Sequence, residues 1–229
     1  MTRINPLMLL LLVAVSASAQ DKTADAMAKL NVALPPGAEE RLALSAAPAH
    51  LRAGATVYVY GRNGYERIRM GDNGFVCLLN RDGFFYGSTQ FKPTCWDAQG
   101  ATTYVPVMLK VGEMLAKKQS ADAIRKAISA GFADNSFHAP TTGGVAYMLE
   151  GDIDIDSLTG AITRQAYPGH YMFYANGVTS AQLGFTREAG QQDPTLPFVF
   201  SAGAGGDHGL AYIIVMPGSA HVHSHDGTQ

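Results

Sequence analysis

The chain has 229 residues, of which 17 are Lys or Arg and 19 are Asp or Glu, so its formal net charge is −2. This balance argues against a nucleic acid as partner, because phosphate backbones are bound by an excess of Lys and Arg. Charged residues make up only 16% of the sequence and glycine is frequent, which favours a turn-rich globular protein with a single domain.

The N-terminal residues 1–19 have the three parts of a secretory signal peptide. Arg3 carries the positive charge, residues 7–15 form an apolar run, and Ala-Ser-Ala at 17–19 fits the small residues that signal peptidase requires. The apolar run is shorter than the about 20 residues of a spanning helix, and no later stretch is apolar enough to cross a bilayer. We therefore expect cleavage after Ala19, export to the periplasm or the medium, and no membrane span in the mature protein.

The sequence contains two cysteines, Cys77 and Cys95. Disulfides persist in oxidising compartments, so export favours a bond between them. Their spacing fits neither CxxC nor CxxCH, which argues against a redox centre or haem attachment. Two buried free thiols are the alternative, because separation along the chain does not fix the distance between the two Cα atoms.

The N-terminal half of the mature chain is predicted to be mostly strands. Residues 20–38 indicate a leader or linker that ends at a Pro-Pro-Gly sequence, and residues 39–48 a short helix. Gly-rich turns then separate β-branched and aromatic runs. These runs predict strands over 55–60, 65–70 and 75–80, and a turn with a further short strand over 81–88.

The middle of the chain has the apolar periodicity of two helices. The first is predicted over 102–119, with Pro106 in its first turn, where a missing N–H costs nothing. The second follows Ser120, which is a good N-cap residue, and is predicted to end at Gly131.

The last third returns to strands. A hairpin is predicted around Asp156–Gly160, with further strands over 170–175, 197–200 and 210–217, the last of which is the most apolar and is expected at the centre of a sheet. The prediction for residues 39–217 is therefore a single α+β domain with mostly antiparallel sheet and a central helical pair.

Residues 218–229 contain three alternating histidines and are predicted to form a flexible tail. On a strand, His221, His223 and His225 would face one side and could bind Zn, Cu or Ni. No apolar residue follows Val222 to hold the segment against a core, and loose termini are common. A metal site in the tail is therefore the alternative to a mobile end, and the sequence predicts no other cofactor.

Two further histidines are candidates for acid–base chemistry. His170 begins an apolar run, and His208 follows Asp207, while Glu150 and Asp152 flank a predicted strand end. A pair of His170 or His208 with one of these carboxylates would suit general-base hydrolysis. Nothing in the sequence brings such a pair together, and the hydrolase signatures GxSxG, HExxH and SxxK are absent.

Several segments occur in an order that resembles a family of uncharacterised secreted bacterial proteins. They are an alanine-rich LALSAAP, CWDAQG, AYML and GHYMFYAN, and the resemblance spans residues 40–217. Gly169 and Asn176 stand where the family pattern PHxMFYAP has proline. The resemblance implies an exported protein with Cys95, Tyr147 and His170 in a shared framework, and it lends no catalytic residue.

The sequence thus favours an exported, non-catalytic binding or structural module with an unidentified ligand or protein partner. An extracytoplasmic hydrolase built on a His–carboxylate pair is the alternative. Metal binding by the histidine tail is the second alternative.

Overall fold

The computed structural model describes residues 21–35, 37–184, 186–193, 196–201 and 208–218. These residues form one α+β domain in which an eight-stranded, mostly antiparallel sheet has helices on both faces and a two-stranded hairpin at its side. The predicted fold class is confirmed. None of the helices in the described ranges is both long enough and apolar enough to cross a membrane.

The helices and strands have the following bounds. Residues 21–30 form α1, and the other helices are α2 Ala38–Ser45, α3 Ala49–Arg52, α4 Ala98–Ala116, α5 Ala121–Ala133 and α6 Arg187–Gln192. Two short 3₁₀ helices cover Asp82–Tyr86 and Ser180–Leu183. The strands are β1 Thr56–Gly61, β2 Gly64–Arg69, β3 Val76–Asn80, β4 Lys92–Trp96, β5 Val145–Met148, β6 Asp152–Ile155, β7 Ile162–Tyr167, β8 His170–Tyr174, β9 Phe198–Ser201 and β10 Ala211–Val215.

The large sheet has the strand order β2-β1-β3-β4-β5-β8-β10-β9, and β6 pairs with β7 in the separate hairpin. β1 and β3 run parallel, while the other neighbouring strands are antiparallel. The helical pair α4–α5 is inserted between β4 and β5, and the β6–β7 hairpin between β5 and β8. β10 therefore lies second from an edge and not at the centre of the sheet; its apolar side chains reflect packing against β8 and β9 and burial on one face.

The two faces of the sheet have different covers. The inner face packs against α4 and carries Trp96, Ala146 and Met172, which belong to the main core. The outer face packs against α2 in a smaller, alanine-rich cluster that includes both cysteines. Side chains alternate between faces along each strand, so β3 and β4 contribute to both cores.

Residues 20–38, assigned to a leader from the sequence, contribute to the fold. α1 buries Ala26 and Leu30, which are four residues apart and so share one face of the helix. Asn31, just after α1, donates a hydrogen bond to the carbonyl of Leu115 at 2.9 Å and accepts one from the Tyr60 hydroxyl at 2.7 Å. This segment is therefore attached to both α4 and β1.

The helical pair begins and ends at other residues than the sequence suggested. α4 begins at Ala98, because the Asp97 carboxylate caps it by accepting from the Gly100 amide at 3.0 Å, so Pro106 lies inside the helix and not in its first turn. The Ser120 cap of α5 is confirmed. α5 continues past Gly131 to Ala133, and Gly131 is not among the glycines with positive φ that commonly end a helix. A Cβ at Gly131 would meet the ring of Phe137.

Strand β4 is missing from the sequence prediction, and residues 82–86 form a 3₁₀ helix where a short strand was expected. Pro93 makes β4 difficult to predict from the sequence, because proline cannot donate a hydrogen bond to a neighbouring strand and is uncommon inside sheets. β5 pairs only with Cys95 and Trp96, so the ladder on that side of β4 does not reach Pro93.

Cys77 and Cys95 form a disulfide, as the sequence predicted. They are register partners in β3 and β4, and the bond lies on the outer face under α2. It therefore joins neighbouring strands that the sheet ladder already pairs.

The double variant Cys77→Ala/Cys95→Ala should lose about 3 kcal/mol of unfolding free energy. The cysteines are 18 residues apart, and a loop of that length removes this much free energy from the unfolded chain when it is closed. Urea denaturation of the variant and of wild-type protein, with and without reductant, measures the loss. Native protein whose two thiols are freely alkylated without reductant would contradict the bond.

A buried ion pair connects α2 to β3. Arg81 is 1% exposed and Glu39 is 4% exposed, and two parallel bonds of 2.8 Å join the guanidinium to the carboxylate. Glu39 also accepts a bond from the backbone amide of Tyr60 in β1 at 2.8 Å. Glu39 thus connects α2, β1 and β3 at one point.

Glu39→Gln should destabilise the protein by about 3–5 kcal/mol, because it leaves the guanidinium buried without its counter-ion. The neighbouring Glu40→Gln is the matched control. Glu40 pairs with Arg69 at 3.4 Å, and both side chains are about one-third exposed, so its loss should cost under about 1 kcal/mol. Equal stability of the two variants in urea would contradict the importance of the buried pair.

Candidate functional site

A cavity of about 180 Å³ lies between α4 and the inner face of the sheet. Most of its wall is aromatic or thioether-bearing. These side chains are Trp96, Tyr104, Met108, Met148, Tyr167, Met172, Phe198, Phe200 and Tyr212. The cavity is therefore apolar over most of its surface, as small-molecule sites usually are.

Hydrogen bonds from the polar atoms of the aromatic side chains fix the positions of the aromatic wall. The Trp96 indole N–H donates to the Tyr212 hydroxyl at 2.8 Å, and the Tyr104 hydroxyl donates to the carbonyl of Ala211 at 2.9 Å. The rings of Tyr104 and Tyr212 stack with centroids 4.6 Å apart. Because each polar tip has a partner, these rings have fixed positions in the absence of any ligand.

The other end of the cavity is charged. Lys92 in β4 donates to the Asp82 carboxylate at 3.2 Å, and the two side chains are only 12% and 7% exposed. Burial by itself would lower the pKa of Lys92, but the negative charges of Asp82 and Asp152 outweigh it and raise that pKa. Lys92 is therefore a cation at neutral pH and already has an anionic partner in Asp82.

Two carboxylates on β6 have opposite surroundings. Asp154 accepts from Arg164 at 2.8 Å and pairs with Lys29 at 3.4 Å; burial would raise the pKa of Asp154, yet these partners bring it below its ordinary value. Asp152 lines the cavity, and no donor among the described residues bonds to its side chain. Burial raises the pKa of Asp152, and the attraction of Lys92 only partly offsets this.

His170 is 2% exposed and lines the same end of the cavity. Its Nδ1 lies 2.9 Å from the carbonyl of Pro168, and a carbonyl only accepts, so Nδ1 carries the proton and Nε2 keeps a lone pair. Burial lowers the pKa of His170; the bond to Pro168 opposes this and the charge of Lys92 adds to it. The imidazole is therefore neutral at pH 7.

The unpaired atoms of these side chains face the cavity. Within the described ranges, no fully enclosed side-chain nitrogen or oxygen lacks a hydrogen-bond partner. The Asp152 carboxylate and the Nε2 atom of His170 have no partner there, so both atoms are accessible to solvent, and both residues line the cavity. The site thus combines fixed aromatic walls with hydrogen-bond acceptors that the fold leaves unused.

The structure separates the other residues proposed from the sequence. No carboxylate in the described part of the chain hydrogen-bonds to His170. Glu150 lies outside the cavity lining. His208 stacks on Phe132 with centroids 4.5 Å apart and lies 3.4 Å from the Ser129 hydroxyl.

The predictions for Asp207 and for His221, His223 and His225 lie outside the described residues. Within the described ranges, no three His, Cys, Asp or Glu side chains are grouped so that they could hold a metal ion.

Asp82 and Lys92 were missed from the sequence. They are ten residues apart and meet because β3 and β4 form an antiparallel pair. The available signal was the alternation of Lys92, Thr94 and Trp96, which puts these three side chains on one face of a strand. Pro93, in the middle of this alternation, weakens it as a strand signal, because proline is uncommon inside sheets.

Asp152→Asn should raise the melting temperature at neutral pH, and Asp154→Asn should lower it. A raised pKa means that folding disfavours the charged form of Asp152 once the pH exceeds that pKa, whereas Asp154 has the opposite shift. Both differences from wild type should shrink as the pH falls below the two pKa values. A drop in melting temperature for Asp152→Asn at neutral pH would show that this carboxylate has an internal partner.

Comparison with known proteins identifies no relative of this chain. No protein-family model, curated protein or solved structure matches the chain. The resemblance to secreted bacterial proteins therefore stays a prediction, and a function has to be inferred from the cavity and its side chains.

Proposed function

We propose that this chain is an exported, non-catalytic binding protein whose ligand is a small molecule with one apolar ring. The observation that carries the proposal is the cavity with fixed aromatic walls and a polar end. Its 180 Å³ is below the about 300–1,000 Å³ of pockets for drug-sized ligands. An apolar cavity of about 150 Å³ holds benzene, so a single ring with a short polar substituent is the appropriate size.

The polar groups of the cavity favour binding over hydrolysis. A His–carboxylate base needs the two side chains within hydrogen-bond reach, whereas the Nδ1 proton of His170 is directed to a backbone carbonyl. Lys92 is charged and paired with Asp82, so it is a poor nucleophile. Export is supported by the signal-peptide pattern of residues 1–19 and by the disulfide, which suits an oxidising compartment.

Binding can be followed through Trp96, which is the chain's one tryptophan and lines the cavity. The neutral single-ring probe 2-phenylethanol should change the Trp96 emission in a saturable way. Ile214→Phe should weaken this binding about tenfold or more, because Ile214 lines the cavity and a larger ring would occupy it.

Ile213→Phe is the matched control. Ile213 is the preceding residue of the same strand and faces the opposite side of the sheet, so this variant should bind the probe like wild type. Equal loss of binding in both variants would contradict the cavity as the site. The proposed function itself would be overturned if wild-type protein bound none of 2-phenylethanol, 2-phenylethylamine and phenylacetate.

A further inference from the structure

The charges at the polar end of the cavity do not balance. Lys92 is a cation whose ion-pair partner is Asp82, His170 is neutral, and Asp152 is a second carboxyl group at this end. The Lys92 ammonium lies 3.2 Å from Asp82 but has no ion-pair contact with Asp152. One negative charge is left over, and it belongs to Asp152.

Two acceptors at this end have no hydrogen-bond donor among the described residues. The Asp152 carboxylate and the His170 Nε2 atom are both acceptors open to the cavity, while the Thr94 hydroxyl is already used as a donor to the carbonyl of Lys92 at 2.9 Å. The Asn80 amide and the remaining N–H groups of Lys92 are donors at this end, but neither side chain bonds to Asp152 or His170. A ligand that brings donors and a positive charge satisfies these acceptors, whereas a carboxylate would add a second unpaired anion.

The aromatic rings around the acceptors favour the same kind of group. Tyr167 meets the His170 ring edge-on with centroids 5.3 Å apart. Burial raises the pKa of the Tyr167 hydroxyl, and the charge of Asp152 adds to this, so this ring lies within the field of the carboxylate. Aromatic rings attract cations, and a desolvated carboxylate attracts them more strongly than one in water.

The geometry points to a protonated primary amine as the polar group of the ligand, with Asp152 as its counter-ion and His170 Nε2 as a further acceptor. This inference rests on the proposed function, since it specifies the head group of the molecule held in the same cavity. The ligand class is then an arylalkylamine or a similar amine with a compact apolar body. Asp152 becomes a specificity-determining residue, because it selects the amine over alcohols and acids of the same shape.

Three probes that share a phenyl ring and differ in their polar group test this inference by Trp96 fluorescence. They are 2-phenylethylamine, which is protonated at neutral pH like a lysine side chain, 2-phenylethanol and phenylacetate. Wild-type protein should bind the amine about tenfold more tightly than the alcohol, because a bond to a charged partner is stronger than a neutral one. Phenylacetate should bind most weakly.

Asp152→Asn should reduce the affinity for the amine about tenfold and leave the affinity for the alcohol nearly unchanged. Asp122→Asn is the control for loss of a carboxylate elsewhere, since Asp122 lies on α5 with its side chain 88% exposed, and it should bind all probes like wild type.

The pH dependence of wild-type protein gives a second, mutation-free readout. Affinity for the amine should fall as the pH is lowered through the pKa of Asp152, which burial places above the ordinary aspartate value, while affinity for the alcohol should change less. Asp82, Lys92, Tyr167 and His170 are the other titratable groups facing this end of the cavity. Lys92 and Tyr167 have raised pKa values, and that of His170 is lowered.

The outcomes separate this inference from the proposed function. If the alcohol or the acid binds as tightly as the amine, the cavity is a binding site but the inference is overturned. If Asp152→Asn binds the amine like wild type, the role of Asp152 is overturned. If no probe binds at all, the proposed function fails and the inference fails with it.

Discussion

The fold depends on a guanidinium group enclosed by the protein. Arg81 has five N–H donors, and all five are used: two bind Glu39, and the others bind the carbonyls of Leu30, Val32 and Leu79. The ring of Tyr60 also lies 4.3 Å from its central carbon. A buried cation is costly unless each donor is paired, so these five bonds favour the observed arrangement of α1, α2 and the end of β3 over arrangements that leave a donor unpaired.

The fixed position of Arg81 also determines the position of cavity residues, because its two neighbours in the chain line the cavity. Asn80 and Asp82 flank Arg81 and line the cavity, and the Asp82 amide donates to the Asn80 side chain at 3.0 Å. Asp82 in turn holds Lys92. The Arg81 guanidinium is fixed on one side of residues 80–82, and the Asp82 carboxylate that pairs with Lys92 is therefore fixed on the other side. The charged groups are in this way confined to one end of the cavity, while the other walls are apolar.

The sequence predicted the parts of this structure that depend on local chemistry. The Gly-containing turn between the strands predicted over 55–60 and 65–70, the Ser120 cap and the strand over 75–80 follow from turn propensity, capping and apolar runs. It did not predict the pairing of Glu39 with Arg81 or of Asp82 with Lys92, because these contacts arise from strand and helix packing. His170 and Asp152 were recognised as candidates, but as partners of one another, whereas the structure gives each its own surroundings.

The hairpin β6–β7 carries Asp152, a cavity carboxylate to which no donor among the described residues bonds. A bridge with two 2.9 Å bonds between Phe91 and Ile153 fixes this hairpin beside β4. The buried Ile153 and the cavity-lining Asp152 lie on opposite faces of β6. Asp154, two residues later on the same strand, has Arg164 and Lys29 as partners. This carboxylate is therefore paired within the fold, in contrast to Asp152. The unsatisfied Asp152 reduces stability, and such a cost is typical of a position that is shaped by a ligand. Under the proposed function, these acceptors are half of an interaction whose other half is supplied by the ligand.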